Sequence, residues 1–282
     1  MRVKQILREY NFRPKRRLGQ NFLIDEGTAA RIVELAKIEQ GDVVVELGPG
    51  LGILTRPLLE RAKRVIAIEK DSALCDILRK LLAGCDGLQV ICGDILKVNF
   101  QDFAEGGKVK VVGNLPFYIT SPLIFYLLEQ RKAIDSILIT LQKEVAERIL
   151  AQPGTKDYGA ISIGVRYYTK TSYEGTIKEA QFWPRPKVDA GIISLKVLDT
   201  PSVRVKDEEL FFKVVRSSFE KRRKMILNSL EQARSLGLKK DALLKAFQDA
   251  GIDYRRRPEE FSIEEFARIS DLVSDLLAGD RS

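Results

Sequence analysis

Between residues 42 and 142 the apolar positions fall into short, nearly continuous runs separated by stretches of helical spacing. DVVVEL (Asp42–Leu47), RVIAIE (Arg64–Glu69), LQVICGD (Leu88–Asp94), KVKVVGN (Lys108–Asn114) and SILITLQ (Ser136–Gln142) are each rich in Val and Ile. Runs of this length without polar alternation suit strands covered on both faces. SALCDILRKLL (Ser72–Leu82) and SPLIFYLLEQ (Ser121–Gln130) lie between them and repeat their apolar residues every three to four positions. This β-α-β rhythm predicts an α/β fold, an open parallel sheet with helices on both faces. YYTKTSYEGTI (Tyr167–Ile177) and GIISLKVL (Gly191–Leu198) predict an antiparallel pair at one edge of that sheet.

The pattern changes near Thr200-Pro201. Beyond it Leu210, Phe211, Val214, Val215, Phe219, Ile226 and Leu230 recur at helical spacing along one face, with no strand-like run. Two domains are therefore expected, residues 1–200 with the sheet and a small all-helical domain over residues 201–282.

Composition narrows the chemistry. The 282 residues include no histidine, which removes His-based triads, His-ligated zinc and His proton shuttles. No metal site is expected. Cys75, Cys85 and Cys92 form no C-x-x-C pair and read as reduced thiols in a cytoplasmic protein, each packed in a core. No apolar run reaches the roughly 18–20 residues of a membrane span, and MRVKQILREYNFRPKRR lacks a signal peptide's apolar stretch. The net charge of +8 is compatible with a polyanionic partner but does not select one.

The loop after the first strand reads Glu46-Leu47-Gly48-Pro49-Gly50-Leu51-Gly52. Alternate glycines let a ligand approach the backbone between a strand end and a helix start. The dinucleotide fingerprint is not met, because Ile53 stands where its third glycine would fall. Glu69 ends the second strand, where a carboxylate can take both hydroxyls of a ribose. Asp94 ends the third strand, placed to accept from an exocyclic amine. The set fits adenosine without a pyrophosphate, and S-adenosylmethionine is such a ligand.

Asn114-Leu115-Pro116-Phe117 ends the fourth strand beside these acids. An adenine amino group is a poor nucleophile because its lone pair is delocalised into the ring. An Asn side-chain oxygen and a backbone carbonyl can together accept both its N–H bonds, favouring a pyramidal nitrogen able to attack a methylsulfonium. Pro116 forces Leu115 to be extended, which aims the Leu115 carbonyl. Phe117 offers a face on which a flipped base can stack. The bland alternative makes Asn114 a helix cap and Phe117 a core residue.

The motifs in this order resemble the rRNA adenine N6-dimethyltransferase family over nearly the whole chain. LGQNFLID (Leu18–Asp25) is similar to the family's N-terminal signature, ELGPGLGILT (Glu46–Thr55), IEKD (Ile68–Asp71), GDIL (Gly93–Leu96) and NLPFYITSPLI (Asn114–Ile124) follow, and QFWPRPKVDAGIISL (Gln181–Leu195) resembles the late motif. FEKRRKMILNSL (Phe219–Leu230) resembles the small-subunit branch rather than the erythromycin-resistance branch. Phe117 stands where the family usually has Tyr, and Ala190 where it usually has Ser. The resemblance implies a Rossmann-like class I methyltransferase domain with a mostly parallel seven-stranded sheet. It implies S-adenosyl-L-methionine as donor, leaving S-adenosyl-L-homocysteine, with Gln20, Asn21, Leu23, Gly48, Gly50, Glu69, Lys70, Asp94, Ile95 and Asn114 as its contacts. Asn114, Leu115, Pro116 and Phe117 would act on the target adenine, with Phe182 as a second aromatic wall.

Arg2, Lys4, Arg8, Arg13, Lys15, Arg16 and Arg17 precede the first motif, Lys221-Arg222-Arg223-Lys224 falls on a predicted helix, and Arg255-Arg256-Arg257 in a later loop. Beside an adenine-modifying site such runs read as phosphate contacts, with Arg16, Arg17 and the Lys221–Lys224 run the leading candidates. The expected activity is dimethylation of N6 on two adjacent adenosines near the 3′ end of small-subunit rRNA, by a monomer acting on the rRNA or a pre-ribosomal particle. Methylation of large-subunit rRNA, and a non-catalytic assembly or transcription factor retaining the fold, stay open as alternatives.

Overall fold

The computed structural model describes residues 3–15, 18–115, 120–221, 224–233 and 235–279. Arg16, Arg17, Pro116, Phe117, Arg222 and Arg223 therefore lie outside the described residues. The chain divides into two compact units, Met1–Glu147 with Lys170–Val197, and Arg148–Thr169 with Leu198–Ser282.

In the first unit the elements run α1 (Val3–Glu9), β1 (Phe22–Leu23), α2 (Glu26–Leu35), β2 (Val43–Leu47), α3 (Thr55–Leu59), β3 (Arg64–Glu69), α4 (Ser72–Leu81), β4 (Leu88–Cys92), β5 (Val109–Asn114), α5 (Thr120–Glu129) and β6 (Ile134–Gln142). α6 (Lys143–Leu150) follows, and after α7 (Ala160–Tyr168), which belongs to the second unit, come β7 (Thr169–Ile177), β8 (Phe182–Trp183) and β9 (Ala190–Val197). The seven-stranded sheet has the order β4-β3-β2-β5-β6-β9-β7. β4, β3, β2, β5 and β6 pair in parallel and β9 pairs antiparallel with β6. The predicted Val- and Ile-rich runs thus form the sheet, and every residue of β2 is buried. The stretch expected as a strand from Tyr167 begins two residues later, because Tyr167 and Tyr168 end α7.

Caps fix where helices begin. The side chain of Asp71 accepts the Ala73 amide at 3.2 Å at the start of α4, and Asp25 the Thr28 amide at 2.7 Å at the start of α2. The basic N-terminal segment holds a short amphipathic helix. α1 buries Val3, Ile6 and Leu7 against Phe22, Leu51, Leu74 and Ile77.

The cysteine expectation is corrected. Cys75 of α4 and Cys92 at the end of β4 form a disulfide, with Cα atoms 6.1 Å apart, and Cys85 is exposed rather than packed. α4 returns alongside β4, so two cysteines 17 positions apart meet; no sequence spacing reveals that.

The second unit contains α7 with α8 (Glu208–Phe219), α9 (Ile226–Glu231), α10 (Lys240–Asp249) and α11 (Ile263–Gly279). The strands do end before Pro201 as expected, but Arg148–Thr169 groups with the C-terminal helices rather than with the sheet. The reason is aromatic: Tyr167 stacks on Phe211 with ring centroids 4.9 Å apart, and Tyr168 on Phe212 at 5.6 Å. The predicted apolar face is split between α8 and α9. α8 stops at Phe219, so Lys221 and Lys224 lie in the turn before α9 and not on a helix, with the Lys224 amide bonded to the Lys221 carbonyl at 2.9 Å.

Candidate active site

β2 lies between β3 and β5, so the chain builds β2-β3-β4 in one direction and then crosses to β5 and β6 in the other. A crevice forms outside the carboxyl ends of strands at such a reversal of strand order. Here the Gly48–Gly52 loop leaves β2, Glu69 ends β3 and Asn114 ends β5. Gly113 lets the two central strands meet, since a Cβ there would sit 2.9 Å from the Leu47 Cβ and carbonyl oxygen.

One cleft at this point is lined by Gln20, Asn21, Leu23, Gly48, Gly50, Glu69, Lys70, Asp94, Ile95 and Asn114, the ten residues expected around the donor. Leu115 and Phe182 line it too, Phe182 with only 2% exposure. Glu69 organises the loop. Its Oε2 accepts the Gly50 amide at 3.2 Å and its Oε1 the Asp71 amide at 2.9 Å. Gly50 is in the left-handed region at φ +57°, and a Cβ there would meet the Phe22 ring at 3.0 Å. Burial raises the Glu69 pKa, and the Asp71 and Gly50 amides oppose that rise. Each carboxylate oxygen retains a further lone pair for a ligand hydroxyl. Asp94 pairs with Lys70 at 2.8 Å and caps the following turn through the Leu96 amide; the Lys70 bond holds its pKa below the ordinary value.

Gln20 lines the cleft and also ties down the N-terminal segment. Its Oε1 accepts the Lys15 amide at 2.7 Å and its Nε2 donates to Asp71 at 2.9 Å, while the Lys15 ammonium binds the other Asp71 oxygen at 2.8 Å. This knot fastens the N-terminal segment beside the cleft. Lys15 is thereby committed to a 1%-exposed carboxylate.

The side-chain bonds of Asn114 run to the N-terminal segment and to β6. Its Nδ2 donates to the Asn21 carbonyl at 3.2 Å, and its Oδ1 accepts from the Thr140 hydroxyl at 2.6 Å. Thr140 is its register partner on β6 and is fully buried. The amide is thus held at both ends, with one lone pair of Oδ1 still available.

Glu46 was not singled out from the sequence as a site residue, yet it lines the cleft with 1% exposure. Among the described residues its Oε2 has no hydrogen-bond partner. Burial, opposed by the Thr55 hydroxyl and reinforced by the Glu69 charge, pushes its pKa up to about 8. A buried carboxyl with a spare acceptor suits a cationic ligand. The only available signal was an acid inside an otherwise apolar strand.

In the second unit the Lys221 ammonium donates to Gln232 at 2.5 Å. Arg256 lies over the Phe261 ring at 4.1 Å and pairs with Glu265, so one of the three arginines in that run is committed to the unit's own packing.

Residues 11–275 match the family described as ribosomal RNA adenine dimethylase. The chain is similar to the ribosomal RNA small subunit methyltransferase A of Clostridium botulinum (strain Okra / Type B1), 46% identical over 98% of this chain and 100% of the relative. The protein of the same name from Clostridium acetobutylicum is 47% identical over 96% of this chain and 98% of its own. Among solved structures, a dimethyladenosine transferase from Plasmodium falciparum superposes with TM-score 0.77 at 26% identity, covering 92% of this chain and 98% of that one. The 23S rRNA methyltransferase ErmE superposes with TM-score 0.69 at 26% identity, covering 90% and 99%.

Proposed function

Since the chain belongs to the ribosomal RNA adenine dimethylase family, we propose that it transfers methyl groups from S-adenosyl-L-methionine to N6 of two adjacent adenosines near the 3′ end of small-subunit (16S) rRNA. The observation that carries this reading is Asn114, its amide clamped between Thr140 and the Asn21 carbonyl, in the same cleft as Glu69 and the glycine loop. The higher identity to small-subunit methyltransferases, 46% against 26% for the 23S enzyme, favours the small subunit over the large. An intact Asn114 clamp favours a working enzyme over an inactive assembly factor.

The cleft fits a cationic nucleoside donor. Glu69 is placed for the ribose hydroxyls, Asp94 for the adenine amine, and the unpartnered Glu46 oxygen for positive charge. When bound, the donor supplies an electrophilic methyl carbon. The remaining lone pair of Asn114 Oδ1 accepts one N6–H of the target adenine, and the Leu115 carbonyl is the candidate for the other. This holds the amine pyramidal with its lone pair aimed into the cleft. Phe182 forms one wall around the base and Phe117, on sequence grounds, the other. The surplus proton leaves N6 to solvent, so no side-chain base is required. Arg16, Arg17 and the Lys221–Lys224 run supply phosphate contacts, and the enzyme acts as a cytoplasmic monomer on the rRNA or a pre-ribosomal particle.

The test is incubation with labelled methyl donor and undermethylated small subunits, followed by nucleoside analysis. N6,N6-dimethyladenosine in 16S rRNA is the expected product. Label confined to large-subunit RNA would overturn the choice of substrate.

A further inference from the structure

The chain has one tryptophan, Trp183. It is 42% exposed, whereas its neighbour Phe182 is 2% exposed and lines the cleft. In the β1–β8 ribbon Trp183 is the register partner of Phe22, another residue of the cleft wall. Opposed residues of an antiparallel pair project from the same face, about 5 Å apart. Lys4 of α1 places its ammonium 4.6 Å from the indole centroid, and Val3 beside it also lines the cleft. Trp183 is therefore one residue outside the cleft wall along the chain, across the ribbon and through its contact with α1.

Burial accounts for Phe22 and Phe182 but not for an indole with two fifths of its surface in water. Fastening α1 does not require it either, because Val3, Ile6 and Leu7 already anchor that helix in an apolar cluster. The Lys4 ammonium sits over one face of the indole, so the exposed remainder of the ring can take a stacked base while the ammonium meets its phosphate. Beyond Trp183, Arg185 is paired with Glu179, and Lys187 follows.

We propose that Trp183 and Lys4 form a nucleotide-stacking platform at the rim of the cleft, which takes an unpaired nucleotide flanking the target adenosine in the RNA. This rests on the RNA-methylating reading above. It explains how an enzyme whose target base is turned into a pocket keeps the neighbouring nucleotides from swinging back into the stack. The platform acts on RNA binding and not on donor binding.

A single tryptophan makes the test direct. Wild-type protein is titrated with a single-stranded oligoribonucleotide containing two adjacent adenosines, end-labelled so that anisotropy reports binding independently of indole emission. Stacking should quench Trp183 emission along the same isotherm. Trp183→Ala should weaken binding and raise the KM for undermethylated small subunits by roughly 5- to 100-fold, the range of one base stacked on an aromatic ring. Trp183→Phe should restore most of the loss. Lys4→Ala should lower the log–log salt slope by about 0.7, one single-strand phosphate contact. Donor affinity, measured by calorimetry, should stay within twofold in all three variants. Unchanged emission at saturating RNA would overturn the platform, as would a Trp183→Ala variant with normal KM. A variant that loses donor affinity in step with RNA affinity would also overturn it, by showing that the indole braces α1. Quenching is read without methylation. A wild-type protein that quenches yet methylates no small subunit would support the platform and overturn the proposed function.

Discussion

Replacing Glu46 with Gln removes a titrating carboxyl from the cleft and keeps its shape. Burial is the chief reason its pKa rises from 4.5 to about 8, with the Glu69 charge adding to it and Thr55 opposing it. Between those values the folded protein holds a proton that the unfolded chain has released. Stability should therefore fall as pH rises from about 4.5 to about 8, by at most roughly 1.4 kcal/mol per pH unit, and level off above that. The whole window corresponds to no more than about 5 kcal/mol. Glu69, also raised by burial, adds a slope of the same sign, and it is present in both proteins. The difference between wild type and Glu46→Gln reports position 46 together with its coupling to Glu69. Urea unfolding followed by Trp183 emission, from pH 5 to 8.5 at fixed ionic strength, reports the unit that holds Glu46. The wild-type curve should fall more steeply than the variant's. Donor binding gives a second readout, because a cation brought beside Glu46 should drive off its proton. Calorimetry in two buffers of different ionisation enthalpy should show more proton release from wild type than from Glu46→Gln. Parallel stability curves together with equal proton release would refute a protonated Glu46.

Asn114→Ala should lower methyl transfer about 10²- to 10³-fold, the loss typical of one positioned hydrogen-bond partner at a reacting centre, and near-normal turnover on undermethylated subunits would refute its role. Thr140→Val, which deletes the hydroxyl at 2.6 Å from Asn114 Oδ1, should lower kcat about five- to tenfold, on the scale of one net hydrogen bond, with donor affinity unchanged. Thr140→Ser should restore the rate, and a Ser variant as slow as Val would show that packing rather than the hydroxyl matters. Replacing Arg222 and Arg223 with Ala should flatten the salt dependence of RNA binding by about 0.7–0.9 in log–log slope per lost phosphate contact; an unaltered slope would place them on an ordinary solvated face.

The glycine loop, Glu69, Asp94 and Asn114 were legible because each sits where a strand stops, and strand ends follow from a local apolar run. Once the order of strands reverses between β2 and β5, those ends converge without further information. What the sequence concealed depends on register and on distant packing. Thr140 reads as one more β-branched residue of a strand, and only its pairing with Asn114 makes it a clamp. Gln20 reads as a ligand contact and does line the cleft, and only the return of Asp71 to its side adds its part in the knot. Arg148–Thr169 shows no change of composition, and it joins the helical unit because Tyr167 and Tyr168 meet the aromatic pair of α8.

The same contrast explains why the acids of the cleft differ in chemistry despite similar sequence positions. Asp94 is partly exposed and paired with Lys70, and its pKa is lowered. Glu69 is buried but accepts two backbone amides, which check the rise in its pKa. Among the described residues Glu46 has neither a cation nor an amide on its Oε2, and the Thr55 hydroxyl offsets only part of the effect of burial. The neighbours Val43, Val44, Val45 and Leu47 are all buried, and each contributes roughly 1.5–3 kcal/mol, enough together to hold a neutral carboxyl in β2. A neutral Glu46 costs the empty protein little, and an ionised one needs a partner. The partner that the cleft otherwise fits is a cation, so the single acid of an otherwise apolar strand is the one set to respond to a cationic ligand.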